Sequence, residues 1–586
     1  MRYPKLRVTE TSRQMVDAFK GYNHNLRIGD GEFFDMKNMT SDHYPVLSPR
    51  GKRGLYASPD SPTGLIAKDA LCYVDGSKFV TNEYEVDMGL NDEPKQLISM
   101  GAYVIIMPDR KWINTIDHEW GYIDAHFDNE ESGLDVEFSL CTIDGEAREV
   151  KYHGETEPNE EDNKDLENLD LWIDTSSTPL ALKQYSKSSK AWVQIATTYI
   201  KIACQGIGAN FELYDGVTIS GIKAKELQDL NASTAIWAKG DDYIVVIGIL
   251  DSLISQSVDV GVISVDRKMP IMDFIIESGN RLYGCRYGEA ANGEVVNEIY
   301  ASKLGDFKNW NCFMSISTDS WVGGVGTDGQ FTGAITHMGY PLFFKENCVH
   351  KVYGNYPANF QIQTTACRGV QKDCHKSMAI VNETLFYKAR SGVCAYDGSL
   401  PTEVSYALGN EAYSDAVGGA QGNKYYISMK DVSDEHHLFV FDIAKGMWHQ
   451  EDDLQVDCFC SCRGELYAIN GGKIITMLGS GTKDTEDVYW MVQTGEIGIT
   501  SPDMKYISRI TLRMSMDIGA EVGIYAQYDF SEDWECQCVL TSTNLRSFSI
   551  PIRPKRCDYM KLRIEGVGNV KVYSITKTIE QGSDRS

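Results

Sequence analysis

A short aromatic phrase returns four times in the middle of this chain: Leu342-Phe343-Phe344, Leu385-Phe386-Tyr387, Tyr425-Tyr426-Ile427 and Leu466-Tyr467-Ala468. The intervals between first residues are 43, 40 and 41. An apolar, aromatic strand core recurring at that period has the length of one four-stranded propeller blade. A single blade cannot bury both of its faces, so such repeats hold only when stacked on one another. Weaker copies at Leu71-Cys72-Tyr73 and Leu282-Tyr283 carry the pattern upstream, but the step from Leu282 to Leu342 is 60. The spacing therefore predicts an all-β chain built on an interrupted β-propeller. With 32 tyrosines and 52 glycines among 586 residues, composition favours strands and turns in the same way.

The interruptions divide the chain. Residues 1–65 read as an extended N-terminal arm, with one amphipathic stretch (Gln14 to Phe19) of helical character and a segment held extended by Pro45, Pro49 and Gly51. Residues 66–128 read as a first blade region, with a hairpin turning at Asp75-Gly76 and a buried strand at Tyr103 to Met107 ended by Pro108-Asp109. Residues 129–235 break the blade pattern and predict a small inserted β domain. Its stretch from Glu155 to Asp170 is dense in carboxylates (Glu157, Glu160, Glu161, Asp162, Asp165, Glu167) and belongs in solvent. Residues 236–498 hold the remaining blades, with Ile244 to Ile247 and Val258 to Val265 as strands of an upstream one. Two blades share a late turn that leads from Asp306 to Trp310 and from Asp442 to Trp448, each tryptophan placed to fill the gap between neighbouring blades. Residues 499–586 alternate as six short strands, a C-terminal β-sandwich, with a polar tail from Gln581 to Ser586.

A net charge of −27 and a pI of about 4.8 exclude a protein that grips nucleic acid, because neutralising phosphates requires Lys and Arg. Against that background Arg50, Lys52 and Arg53 form the one compact basic cluster of the arm, a candidate clasp for a neighbouring subunit or for this chain's own rim. No apolar run has the length of a membrane-spanning helix, and the opening Met1-Arg2-Tyr3-Pro4-Lys5 lacks the apolar stretch of a signal peptide. Synthesis and residence in a cytoplasm are expected. The 15 cysteines lie mostly in apolar runs, as Cys72, Cys285, Cys348 and Cys394 do, where a thiol packs as a small hydrophobe in a reducing compartment. Cys458, Cys460 and Cys462 fall on one face of a strand, without the second pair of ligands that a thiolate metal site uses.

Catalytic motifs do not emerge. The glycine clusters Gly323-Gly324-Val325-Gly326 and Gly418-Gly419 lack the lysine and the strand-to-helix setting of a phosphate loop. No nucleophile elbow and no zinc-protease helix occurs. His436 and His437, adjacent on a strand, point to opposite faces. Ser317-Thr318-Asp319-Ser320-Trp321 resembles the start of a sialidase box but lacks its glycine and its spacing. Glycoside hydrolysis requires two positioned carboxylates, and no pair stands out among 83 acidic residues. The expectation is a protein that is not an enzyme and carries no cofactor or metal.

The arm carries a family likeness. Asn25-Leu26-Arg27-Ile28, then Gly31-Glu32-Phe33, Asp35-Met36-Lys37-Asn38-Met39 and Tyr44-Pro45-Val46-Leu47-Ser48-Pro49-Arg50-Gly51-Lys52-Arg53, resembles the opening of tail proteins of short-tailed bacteriophages. The segment from Arg556-Cys557-Asp558-Tyr559 to Gly582-Ser583-Asp584 reads like the end of phage virion proteins. The whole plan is similar to the nozzle (tail tubular or hub) family, a propeller carrying an inserted platform-type β domain; the C-terminal sandwich departs from its smallest members. This resemblance implies a virion tail protein assembled in the host bacterial cytoplasm. It implies a homo-oligomeric ring, expected as a hexamer, that docks on a portal-adaptor protein and supports fibres, spikes or a plug. Double-stranded DNA would pass through its lumen at genome ejection without specific binding. The alternatives left open are a tail-tip propeller that binds a receptor or glycan, with or without glycosidase activity, and a non-viral scaffold propeller.

Overall fold

The computed structural model describes residues 11–129, 135–161, 165–178, 180–248, 262–290, 293–483, 487–499, 504–541, 546–552 and 555–581. The opening Met1 to Lys5, Asp162 of the acidic stretch, residues 258–261 and the tail from 582 onward lie outside them. Strands make up about half of the chain and helix almost none.

Among the described residues seven blades close into a ring. Six are complete four-stranded units, led by Pro62–Ala67, Gln96–Met100, Phe274–Ser278, Gly333–His337, Ala379–Val381 and Ser414–Gln421. The first strand of each is innermost. It touches the first strand of the next blade around the ring, except that the fourth and fifth blades meet through the turn His375–Ser377. The aromatic phrase marks the second strand of each blade in which it occurs: Leu71–Asp75, Arg281–Glu289, Tyr340–Lys345, Thr384–Ala389, Lys424–Lys430 and Glu465–Asn470. Alternation places those side chains on both sheet faces, against the blade before and the blade after. Phe343, Phe344, Phe386, Tyr387 and Tyr425 are fully buried there.

The long step from Leu282 to Leu342 is explained by a loop before the last strand of the third blade. Arg281 holds that loop from inside, donating to the backbone carbonyls of Ser302 (2.7 Å), Ser317 (2.9 Å) and Asp319 (2.6 Å). Trp310 of the same loop packs with Ile98 and Met100 of the second blade and Ile275 and Leu282 of the third. Trp448 is buried at the other such turn, where its indole N–H donates to Val404 O at 2.8 Å.

The seventh blade has only three consecutive strands, Cys458–Cys462, Glu465–Asn470 and Lys473–Thr476. Its outer strand comes from the arm: Gly54–Ala57 pairs antiparallel with Lys473–Thr476. Cys458–Cys462 in turn touches Pro62–Ala67 of the first blade. First and last blades are thereby joined through chain ends more than 400 residues apart in sequence.

Several boundaries differ from those expected. Residues 66–128 contain two blades, because Tyr103–Met107 is the second strand of its own sheet without bearing the Leu-aromatic phrase. The insertion runs from Ala125 to Arg267 and not from 129 to 235. Tyr243–Ile247 pairs with Tyr199–Ala203, and Ser264–Arg267 pairs with Gly216–Ser220 and Ala125–Asp128. An all-apolar run is compatible with any doubly covered strand, so pattern alone did not assign these two to the insertion. The insertion has three four-stranded sheets and a core around Ile200, Phe211, Val217, Ile219 and Val265. It is tied to the ring by Arg267, which pairs with Asp215 and donates to Ile123 O at 3.1 Å, and by Asn309, which donates to Asp215 at 2.9 Å.

The arm is built into the body. The stretch from Gln14 to Phe19, expected as helical, begins inside the strand Thr11–Val16, which pairs with Val570–Gln581 of the sandwich. Gly21–Tyr22 pairs with Met447–Gln450 of the sixth blade and with Glu32–Lys37, which pairs with Tyr489–Thr494. Tyr489–Thr494 continues through Met560–Val567 into the sandwich and so is not a blade strand. The sixth blade and one sandwich sheet are thus a single ten-stranded sheet, and the fifth blade, the sixth and both sandwich sheets share one continuous core from Phe386 and Trp448 to Leu512, Ile524 and Leu562.

The closing strand generates a prediction. A Cβ on Gly54 would meet the Ser480 carbonyl, so Gly54→Val should destabilise the chain by about 1–3 kcal/mol, the usual cost of overpacking. Chemical denaturation should show it, with faster proteolysis of the arm.

Candidate functional site

The basic cluster singled out by sequence faces inward, onto this chain's own seventh-blade junction. Arg53 is buried and donates to Asp452 Oδ2 (2.6 Å), Asp452 Oδ1 (3.0 Å) and Glu451 Oε2 (2.9 Å). Arg50 donates to Asp452 at 3.2 Å and to Asn38 Oδ1 at 2.8 Å, and Lys52 pairs with Asp487 at 3.0 Å. These residues precede Gly54–Ala57 directly, so the cluster latches the closing strand. Of the two alternatives, a neighbouring subunit or this chain's own rim, the ion pairs agree with the second: the cluster meets carboxylates that a long-range fold contact supplies. Burial pushes the Asp452 carboxyl up, but Arg53 and Arg50 outweigh it and hold it below its ordinary value. Burial likewise pulls Arg53 down, and Asp452 with Glu451 more than restores it.

Cys458, Cys460 and Cys462 share the seam between the seventh and first blades with Leu65, Leu71 and Tyr73. Burial pushes the Cys460 thiol up to about 12 and the Cys72 thiol to about 11. Protonated and packed among apolar groups, they act there as seam-filling side chains. All 15 cysteines are free. Gly418 and Gly419 serve close packing, since a Cβ would meet the Ser377 carbonyl at the first and the Phe459 ring at the second. Asp319 is buried in the loop held by Arg281, and its Oδ2 accepts from Ile316 N at 3.0 Å. His437 finds partners across a hairpin that sequence reasoning did not bring together: Asp431 at 3.0 Å, with Glu435 beside it. Their ligand atoms lie within 4.8 Å of one another, close enough for a divalent cation. Asp431 is already occupied, however, accepting from Ser433 N (2.7 Å) and Glu435 N (3.0 Å).

The innermost strands carry two carboxylates among the described residues. Glu277 of the third blade accepts from Asn280 N at 2.9 Å, and Asp415 of the sixth pairs with Lys430 at 2.8 Å.

Sequence reasoning missed a second kind of basic residue. The phrases of the fourth and fifth blades both continue with lysine, as Leu342-Phe343-Phe344-Lys345 and Leu385-Phe386-Tyr387-Lys388. Both lysines are almost fully buried, 1% and 3% exposed. Lys345 donates to Asn297 Oδ1 (3.0 Å) and Thr327 O (2.6 Å); Lys388 donates to Gln371 Oε1 (2.7 Å) and Ala389 O (2.7 Å). Among the described residues neither has a carboxylate within ion-pair distance. Burial pulls both ammonium groups below the ordinary lysine value, and Lys345 joins burial in pushing His350 down to about 4. Each lysine lines a cleft, of about 480 Å³ beside Lys345 and about 280 Å³ beside Lys388, and Arg390 borders both. The signal for them was the shared lysine after the repeated phrase, an odd choice for the end of an apolar strand.

No protein-family model matches this chain, and no curated protein does. Among solved structures, an exo-β-1,3-galactanase from Phanerochaete chrysosporium aligns at 8% identity over 52% of this chain and 94% of its own, with a TM-score of 0.20. A glycoside hydrolase family 43 arabinoxylan arabinofuranohydrolase from Bacillus subtilis aligns at 8% identity over 51% and 94%, with a TM-score of 0.15. The extracellular domain of a putative hybrid two-component system from B. thetaiotaomicron aligns at 8% identity over 94% and 99%, also with a TM-score of 0.15. Two of these three are glycoside hydrolases, and the expectation of a protein that is not an enzyme is withdrawn. Likeness at this level transfers no activity and no residue.

The latch makes the stability pH-dependent. Asp452 has a depressed carboxyl in the fold, so its contribution is full above the unfolded value of about 3.9 and is lost as pH falls through the folded one. Arg53→Met, which leaves Asp452 and Glu451 to Arg50 alone, should cost about 3 kcal/mol at neutral pH. It should also flatten the acid limb of the stability profile, both read by denaturant titration across pH.

Proposed function

We propose that this chain is a ring-forming structural subunit of a short-tailed phage tail, of the nozzle type. The observation that carries this reading is where the family-like residues fall. The segment from Gly21 to Ala57, which contains those of the arm, weaves the sixth blade, the sandwich and the seventh blade into one body. A closed propeller with an insertion between its second and third blades and a sandwich fused to its sixth is a stiff scaffold, with faces for neighbours on several sides. The acidic surface suits a conduit past which DNA moves without adhering. In this reading the partners are further copies of the chain, an adaptor ring and peripheral fibres or a plug.

A second reading, a propeller that binds glycans at a tail tip, is supported by the cation-lined clefts of the fourth and fifth blades. The glycoside hydrolases among the structural neighbours also lean toward it.

Gold-labelled antibody against the full chain, applied to purified virions from the source culture, tests the first reading. Label around the axis at the distal end of the tail is expected. Label confined to peripheral appendages would favour the second reading, and virions without label would overturn both.

A further inference from the structure

We propose that the paired clefts of the fourth and fifth blades bind an acidic carbohydrate, each cleft receiving one of its oxyanion groups. This inference stands on the blades themselves and goes beyond the role of the ring in an assembly.

The argument begins with the buried charge. An ammonium group taken out of water is costly unless opposite charge or several acceptors replace the solvent. Lys345 and Lys388 each keep two neutral acceptors, and Lys345 also lies over the Tyr287 and Phe331 rings at 4.9 and 4.7 Å. A lysine has three N–H donors, so Lys388 retains one for a ligand in the cleft that it lines, and the third of Lys345 meets only aromatic faces. The nearest carboxylates do not neutralise them. Glu403, the carboxylate that acts on Lys388, pairs with Arg368 at 3.0 Å, and the one that acts on Lys345 is Asp328. Asp328, exposed at the edge of the larger cleft, makes no ion pair.

Two further cations stand at the rim. Arg390 and Lys372 are exposed, and neither side chain has an ion-pair partner among the described residues. In a chain of net charge −27, four cations on two adjoining clefts without carboxylate partners are the reverse of the prevailing pattern. Elsewhere many basic side chains are matched, as at Lys95–Asp109 (2.6 Å) and Arg286–Asp273 (2.8 Å), although Arg281 and Lys111 are also buried on backbone carbonyls. Arg390 borders both clefts, so its planar fork can serve an anion in either.

The neutral lining separates a carbohydrate from an acidic peptide. Gln330, Asn347 and Ser391 are exposed at the clefts and offer amide and hydroxyl groups for sugar hydroxyls. Burial holds Lys388 below its ordinary value, and a bound oxyanion would restore it.

Titration calorimetry on the full chain tests the proposal, with a short oligogalacturonate as the carboxylate-bearing probe. Inorganic phosphate, a neutral malto-oligosaccharide and poly-glutamate are the comparison arms. Expected are saturable binding of the oligogalacturonate that weakens with salt, weaker competitive binding of phosphate, and no binding of the neutral sugar. Arg390→Ser, on an exposed side chain, should weaken binding by roughly tenfold with the melting temperature unchanged. Lys388→Met should weaken it at least as much, with near-ultraviolet circular dichroism confirming its fold. Lys473→Ser, on the far outer region of the seventh blade, should leave binding as it was. Absence of oligogalacturonate binding, insensitivity to both cleft substitutions, or equally tight binding of phosphate or poly-glutamate would overturn the assignment.

Discussion

The ring depends on one pairing between distant parts of the chain. A propeller is stable only when its last blade is packed against its first, since each open blade face exposes a sheet of apolar side chains. Here Gly54–Ala57 completes the seventh blade, and the Arg53 pair with Glu451 and Asp452 fixes the approach of that strand. Everything upstream of the pairing is drawn in with it: the arm cannot reach the seventh blade without crossing the outer edge of the sixth, where Tyr22 meets Trp448. The shared core of blades and sandwich follows from the same path.

This closure also explains how the charges are distributed. The basic residues of the arm are consumed as a latch on carboxylates of the sixth-to-seventh blade connection. The buried lysines of the fourth and fifth blades have no such counterpart. Removing solvent from a cation without supplying a carboxylate is tolerated where local carbonyls and amides suffice, and it leaves the site receptive to an anion. The acidic exterior then favours a ligand that reaches into the clefts over one that lies across the surface.

Much of the architecture was legible because its signals are local. The aromatic phrase, the Asp-Gly turns and the alternation in the C-terminal sandwich each arise from neighbouring residues obeying the period of a strand. What misled were runs without alternation. Tyr103–Met107 and Tyr243–Ile247 are both apolar on both faces, yet one belongs to a blade and the other to the insertion. The stretch from Gln14 to Phe19 has an amphipathic pattern that a short helix could share, and the pairing of Thr11–Val16 with Val570–Gln581 makes its start a strand. At the candidate sites the lysine after the phrase was visible in two repeats, but its burial was not, because that depends on the adjoining blade.

The sequence by itself determined an all-β chain with a blade-length repeat, an insertion, a terminal sandwich and an acidic surface, since these follow from period, turn chemistry and composition. Only the tertiary structure decided that the ring closes at seven blades, that the arm supplies the missing strand, and that Arg50 and Arg53 are internal while Lys345 and Lys388 lack carboxylate partners. The physical reason is common to all of these. Each rests on which groups from distant parts of the chain share a dehydrated interface, and no local pattern records its partner.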